Sequence, residues 1–184
     1  MLTNEEAFYH KLLLEAGVTE ELDPVVDRLL AEEEPLSDVA LRLAYCHGDP
    51  NEQLSALNEY LAGVPFESID TNAVFEKLRE YFRKEYEAAP DNLKRLSDLM
   101  YRISERTGHE LEEPWYQLWM IGEYYVCVED RSMNIDDFRE RLIAFLYRGE
   151  NVYPWKADQG QAKHEKKPLL LSRIREILFG RNGK

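Results

Sequence analysis

The sequence is poor in cysteine, glycine and positive charge, and each shortage narrows the class of protein. Cys46 and Cys127 stand far apart in 184 residues, which argues against a disulfide scaffold and predicts buried free thiols. The nine glycines form no P-loop, GxGxxG or GxSxG pattern. Lys and Arg number 23 against 36 Asp and Glu, a formal net charge of −13. Such a chain repels phosphate and anionic lipid and attracts cationic partners.

Long apolar runs are also missing. No stretch approaches the roughly 18 residues of a membrane span, and the segment Met1–Glu6 lacks the basic and apolar regions of a secretory signal. We therefore expect a cytoplasmic protein with no membrane partner. A hydrophobic content of 44%, with 11% aromatic residues, predicts a folded core. The length suits one domain, with or without an appendage.

Helix start and stop signals are the main feature that is present. Thr3 followed by Glu6 forms a capping box, and Pro follows an acidic residue at Asp23, Asp49 and Glu113, as at a first helical turn. Further candidate N-caps are Ser37, Asp70, Asp91 and Asn134. Apolar residues between these signals keep three-and-four spacing. The pattern predicts an all-α protein, a single-domain antiparallel helical bundle or a stack of helical hairpins. Its eight helices are expected at about 4–16, 23–33, 37–47, 50–62, 71–88, 91–107, 113–129 and 134–148.

One segment of the predicted helices could instead form a strand. The run Tyr124–Val128 has high β propensity, so a short strand is the rival prediction there.

Residues 1–149 are predicted to form an acidic helical domain and residues 150–167 a polar linker or loop. Residues 168–184 are predicted to form a basic C-terminal helix and tail, docked on the domain because so short a helix is not stable alone.

Charge is distributed unevenly among these segments. Residues 1–70 hold 16 carboxylates against 3 Lys or Arg, whereas residues 156–184 hold 8 Lys or Arg against 3 carboxylates. The first segment favours a cationic partner, because opposite charges accelerate association.

The sequence shows no catalytic constellation of known spacing. Cys46 and His47 are the densest cluster of reactive side chains, but adjacent helical residues point about 100° apart, so the pair is predicted to end a helix rather than to catalyse a reaction. The four histidines are scattered without metal-ligand spacing. Acidic pairs and triplets are typical of solvated helix starts. We therefore expect no catalytic residue, no metal and no cofactor.

Candidate partner-binding residues come from two features. The triplet Glu32, Glu33 and Glu34 is the most acidic point of the sequence, and it offers a contact for a cationic protein. Aromatic residues supply the second feature, because exposed Tyr and Trp side chains anchor many interfaces. Tyr116 is expected away from the core face that Trp115, Trp119, Gly122 and Tyr125 share, where Gly122 would permit a close approach of helices. Trp155 lies within the linker, directly before its polar run 156–167.

These features favour a non-enzymatic acidic helical protein that binds another protein. Its expected form is a bacterial-type antagonist or immunity-like factor that masks a basic partner surface, such as the nucleic-acid site of a nuclease. Two alternatives remain open: an enzyme with an unrecognised site near Cys46 and His47, or a scaffold whose tail binds nucleic acid or an acidic partner. Nucleic acid is otherwise not expected as a partner, and the sequence does not determine the oligomeric state. The basic residues of that tail include Lys163, Lys166, Lys167, Arg173, Arg175, Arg181 and Lys184.

Overall fold

The computed structural model describes residues 1–32 and 35–152. The predictions for residues 33, 34 and 153–184, among them the C-terminal helix, lie outside the described residues. Within them the fold is all-helical: eight α-helices, one short 3₁₀ turn at Phe66–Ser68, one π-helical turn at Ala144–Arg148, and no strand. The helices are α1 Asn4–Glu15, α2 Asp23–Glu32, α3 Asp38–Tyr45, α4 Pro50–Leu61, α5 Thr71–Ala88, α6 Leu93–Thr107, α7 Tyr116–Glu129 and α8 Ile135–Ile143.

Side-chain caps explain where most of these helices begin. The Thr3 hydroxyl accepts a hydrogen bond from the Glu6 N–H at 3.2 Å, as the capping box predicted. Ser37, Asp49, Asp70 and Asn134 accept comparable bonds at the starts of α3, α4, α5 and α8. Because these caps satisfy backbone donors that a helix leaves unpaired, they fix the ends of the helices from local sequence.

Helix α1 is shared by two hydrophobic clusters. The first cluster joins α1 to α5, α6, α7, α8 and the π-helical turn, and the second joins α1 to α2, α3 and α4. Phe8 and Leu12 of α1 belong to the first cluster, whereas Ala7 and Leu14 belong to the second. A helix buried on most of its circumference is expected at the centre of a helical domain. The acidic helices α2–α4 are therefore held against the rest of the chain through α1.

Ion pairs show the antiparallel arrangement of neighbouring helices. Lys94 at the start of α6 pairs with Glu129 at the end of α7. Arg95 of α6 lies 3.1 Å from Glu85 near the end of α5. Short connections favour antiparallel neighbours, as the sequence predicted.

Gly122 allows α6 and α7 to approach closely. A Cβ atom built on Gly122 would lie 2.6 Å from Tyr101 Cδ2 and 2.7 Å from Tyr101 Cβ, and the Tyr101 Cβ is fixed to its helix. The predicted role of this glycine in close helix packing is confirmed.

We expect Gly122→Ala to lower the free energy of unfolding by about 2 kcal/mol, because the steric clash outweighs the better helix propensity of Ala. Urea denaturation followed by circular dichroism measures this change. Gly63→Ala is the matched control, since a Cβ there meets nothing within 4 Å. Equal stability of the two variants would contradict the close-packing explanation.

The buried amide of Gln117 holds the last described residue against α7. Its Oε1 accepts the Val152 N–H at 2.7 Å, and its Nε2 donates to both carboxylate oxygens of Glu113 at 3.0 and 3.1 Å. Val152 is itself buried. The packed helical unit therefore includes residue 152.

Three details differ from the sequence predictions. Helix α7 begins at Tyr116 rather than at residue 113, because the Gln117 N–H donates to the Pro114 carbonyl in a turn at the start of the helix. Both thiols are free, but Cys46 and Cys127 are only half-buried. Cys46 caps the C-terminus of α3, where the helix end reaches the surface. The rival strand prediction at Tyr124–Val128 is wrong, since α7 continues to Glu129.

Candidate partner-binding surface

The few cations of the N-terminal helices are all engaged by carboxylates of the same helices. Arg28 Nη2 donates to both carboxylate oxygens of Glu6 at 2.7 Å, which ties α2 to α1. Arg42 of α3 pairs with Glu59 of α4, and Lys11 Nζ lies 2.8 Å from Glu15 within α1. These are the only Lys and Arg residues among positions 1–70. Because the segment holds 16 carboxylates, the three pairs leave it an excess of negative charge.

Backbone contacts keep one of these carboxylates ionised. Glu5 Oε1 accepts the Asp70 N–H at 3.4 Å. Hydrogen bonds from the backbone N–H groups of Glu5 itself and of Asp70 lower the pKa of the Glu5 carboxyl, since they stabilise its charged form. The negative charge at the start of α1 thus persists at neutral pH.

Glu32 is the one member of the predicted acidic triplet among the described residues. It ends α2 with an exposed side chain, and its Oε2 lies 3.8 Å from Arg28 Nη1. That ion pair is long, because the guanidinium binds Glu6 more closely. Glu33, Glu34 and Trp155 lie outside the described residues, so their roles stay predictions.

Tyr116 stands on a different part of the unit, at the start of α7. Its ring stacks on Trp119 with centroids 5.6 Å apart and an interplanar angle of 16°, and both side chains are half-buried. Helix α7 packs against α6 and α8, whereas α2 packs against α3. The structure thus places Tyr116 and Glu32 on helices with different packing partners.

The residues around Cys46 form a helix end. His47 Nδ1 lies 3.2 Å from Asp23 Oδ1, and the side chains are 63% and 48% exposed. This contact joins the start of α2 to the residues after α3, so it closes the α2–α3 hairpin. The Cys46 carbonyl accepts the Asp49 N–H at 2.9 Å in the turn toward α4. These interactions give the segment a structural role.

Two features are absent from the described residues. These residues contain no group of three or more His, Cys, Asp or Glu side chains arranged to hold a metal ion. Among the helices described, none has both the length and the apolar character that crossing a membrane requires.

Exposed apolar side chains on the α2–α3 hairpin are a feature that the sequence analysis missed. Leu30, Leu36, Leu41 and Tyr45 are all exposed, and Tyr45 reaches 90%. On α3, Ala40 and Leu43 face the core, whereas Leu41 and Tyr45 are one turn apart on the opposite side. A helical wheel of α3 would have shown two apolar faces, but sequence alone does not say which one is buried.

Comparisons of this chain with protein-family models, with curated proteins and with solved structures find no match.

Proposed function

We propose that this protein works by binding a basic partner protein through its acidic N-terminal helices, without chemistry of its own. The form that we favour is a bacterial-type antagonist or immunity-like factor, which masks a cationic surface such as the nucleic-acid site of a nuclease. The carrying observation is that Lys11, Arg28 and Arg42 are all paired within helices α1–α4. An excess of carboxylates on that segment is left to attract a cationic surface.

The physical basis is long-range attraction followed by local contact. Charge complementarity raises the association rate, and this effect weakens as added salt screens charges beyond about 10 Å. Binding to a basic partner should therefore be strongest at low salt and should depend on where the carboxylates lie.

We expect affinity capture with the full chain at low salt to recover a basic protein, and high salt to reduce its recovery. Reversing three exposed N-terminal carboxylates in the variant Glu20→Lys, Glu52→Lys, Glu67→Lys should lower the association rate with that protein at least tenfold. Mass spectrometry identifies the captured protein, and surface plasmon resonance gives the rate. Addition of this chain should then block binding of the partner to nucleic acid.

A matched variant separates the location of the charge from its amount. Asp98→Lys, Glu105→Lys, Glu140→Lys makes the same change in net charge at exposed positions of α6 and α8. We expect this control to bind nearly as fast as the unmodified chain. Recovery of no basic protein at either salt concentration would refute the proposal, and equal losses in both variants would remove the role of the N-terminal helices.

The two alternatives keep separate tests. A nucleic-acid-binding tail lies in residues 156–184, outside the described residues, and predicts steeply salt-dependent binding of nucleic acid by the full chain. An enzyme that uses Cys46 predicts fast alkylation of that thiol, because a reactive cysteine requires an electropositive setting. His47, next to Cys46 in sequence, is paired with Asp23 at 3.2 Å.

A further inference from the structure

The open face of the α2–α3 hairpin combines apolar side chains with carboxylates. Leu41 and Tyr45 are 39% and 90% exposed on the side of α3 that points away from the core. Asp38 is exposed and stands one turn before Leu41 on that side. Packing does not explain these apolar side chains, because Ala40 and Leu43 already fill the buried side of the helix.

Helix α2 adds residues of the same kind. Asp23, Asp27 and Leu30 follow four-and-three spacing, so they share one side of α2. The 3.2 Å contact between Asp23 and His47 shows that this side is turned toward α3. Asp27 and Leu30 are exposed. We define the open hairpin face as Leu30, Leu41 and Tyr45 with Asp27 and Asp38.

Both cations of the hairpin are engaged by carboxylates outside this face. Arg28 reaches across to Glu6 of α1, and Arg42 reaches across to Glu59 and Ser55 of α4. The open hairpin face retains carboxylates next to its apolar side chains, which is complementary to a surface that carries apolar and cationic groups.

From this complementarity we infer that the open hairpin face docks an amphipathic, Lys- and Arg-rich helix of another protein. The inference rests on the proposed function and names the part of the partner that is recognised. A helix fits better than an extended strand, since strand addition needs a sheet edge and the described residues form none. Leu41 and Tyr45, one turn apart, suit partner side chains that repeat every three or four residues.

The test uses a labelled synthetic peptide with Leu at three-and-four spacing and Lys at the other positions. A scrambled peptide of the same composition is its control. We expect the full chain to bind the ordered peptide at least tenfold more tightly than the scrambled one by fluorescence anisotropy. Equal affinity for both peptides would overturn the inference, because a purely electrostatic contact does not distinguish them.

Variants then locate the contact. Leu41→Ser with Tyr45→Ser should weaken binding of the ordered peptide at least tenfold, since exposed aromatic anchors dominate interface energetics. Leu111→Ser with Val126→Ser removes two apolar side chains of comparable exposure elsewhere, 70% and 53%, and should leave the affinity unchanged. Circular dichroism checks that both variants are folded, since exposed substitutions of this kind usually change stability little.

The two proposals fail in different ways. If binding of the ordered peptide is unchanged by Leu41→Ser with Tyr45→Ser but is lost in the N-terminal charge-reversal variant, the docking face is overturned and the proposed function stands. A photo-reactive phenylalanine analogue in place of Tyr45 identifies the occupant directly. A crosslink to the ordered peptide supports the inference, whereas a crosslink to a second copy, or to residues 153–184 of the same chain, overturns it.

Discussion

Trp115→Ala should lower the free energy of unfolding by about 3–5 kcal/mol, the largest loss expected from any single change considered for this protein. The indole is 1% exposed. Its ring meets Phe8 of α1 edge-on at 6.2 Å and Phe75 of α5 at 6.0 Å. Truncation would leave a cavity where α7 joins two other helices, and aromatic edge contacts would be lost together with the buried area. Urea denaturation followed by far-ultraviolet circular dichroism measures the change.

Trp119→Ala provides the comparison, because the two tryptophans stand one turn apart. Trp119 is half-buried and stacks on Tyr116 at 5.6 Å. We expect its removal to cost about 1 kcal/mol, the magnitude of one aromatic pair. If the two variants lost equal stability, Trp115 would not be the junction of the larger hydrophobic cluster.

Local sequence accounts for most of the helix boundaries. Thr3, Ser37, Asp49 and Asp70 were predicted as starts and are N-caps, since a cap requires only the residue and its next two or three neighbours. The start of α6 was predicted two residues early. Asp91 does not cap the helix, because its carboxylate accepts a hydrogen bond from Arg139 of α8 at 3.2 Å. That partner is distant in sequence, so local signals could not reveal it.

The candidate surface was predicted less completely than the fold. Composition gave the sign of the net charge, and the structure shows that each of the few N-terminal cations has a carboxylate partner. The apolar character of the open hairpin face was missed, because Leu41 and Tyr45 have the same spacing as core residues. Which side of α3 is buried depends on its packing against α2 and α4. Only the tertiary structure determines which side of α3 is buried.

His10 is the second residue with a large expected effect, and the effect appears as pH dependence. The ring is 4% exposed on α1, edge-on to Tyr9 at 4.8 Å. Burial lowers the pKa of His10 to about 4 from an ordinary 6.5; Glu6 opposes this shift, whereas Lys77 and Arg28 add to it. The folded protein therefore keeps this imidazole neutral over a range in which the unfolded chain protonates it.

Protonation of His10 in the unfolded chain should reduce stability as the pH falls. The folding free energy that depends on the neutral ring is fully present above pH 6.5, declines below that value, and is lost near pH 4, where the folded state also binds the proton. The complete titration corresponds to about 3 kcal/mol, and about 2 kcal/mol of it is lost between pH 7 and pH 5.

Variants that lack the imidazole isolate this contribution from the many carboxylates. We expect the difference in unfolding free energy between pH 7 and pH 5 to be about 2 kcal/mol larger for the unmodified chain than for His10→Phe or His10→Gln. Phe retains a planar ring beside Tyr9, whereas Gln retains polarity without a titrating group, so agreement between the two excludes a packing artefact. Identical pH dependence in all three proteins would show that the His10 ring is hydrated in the folded state, because only a desolvated imidazole resists protonation in this range.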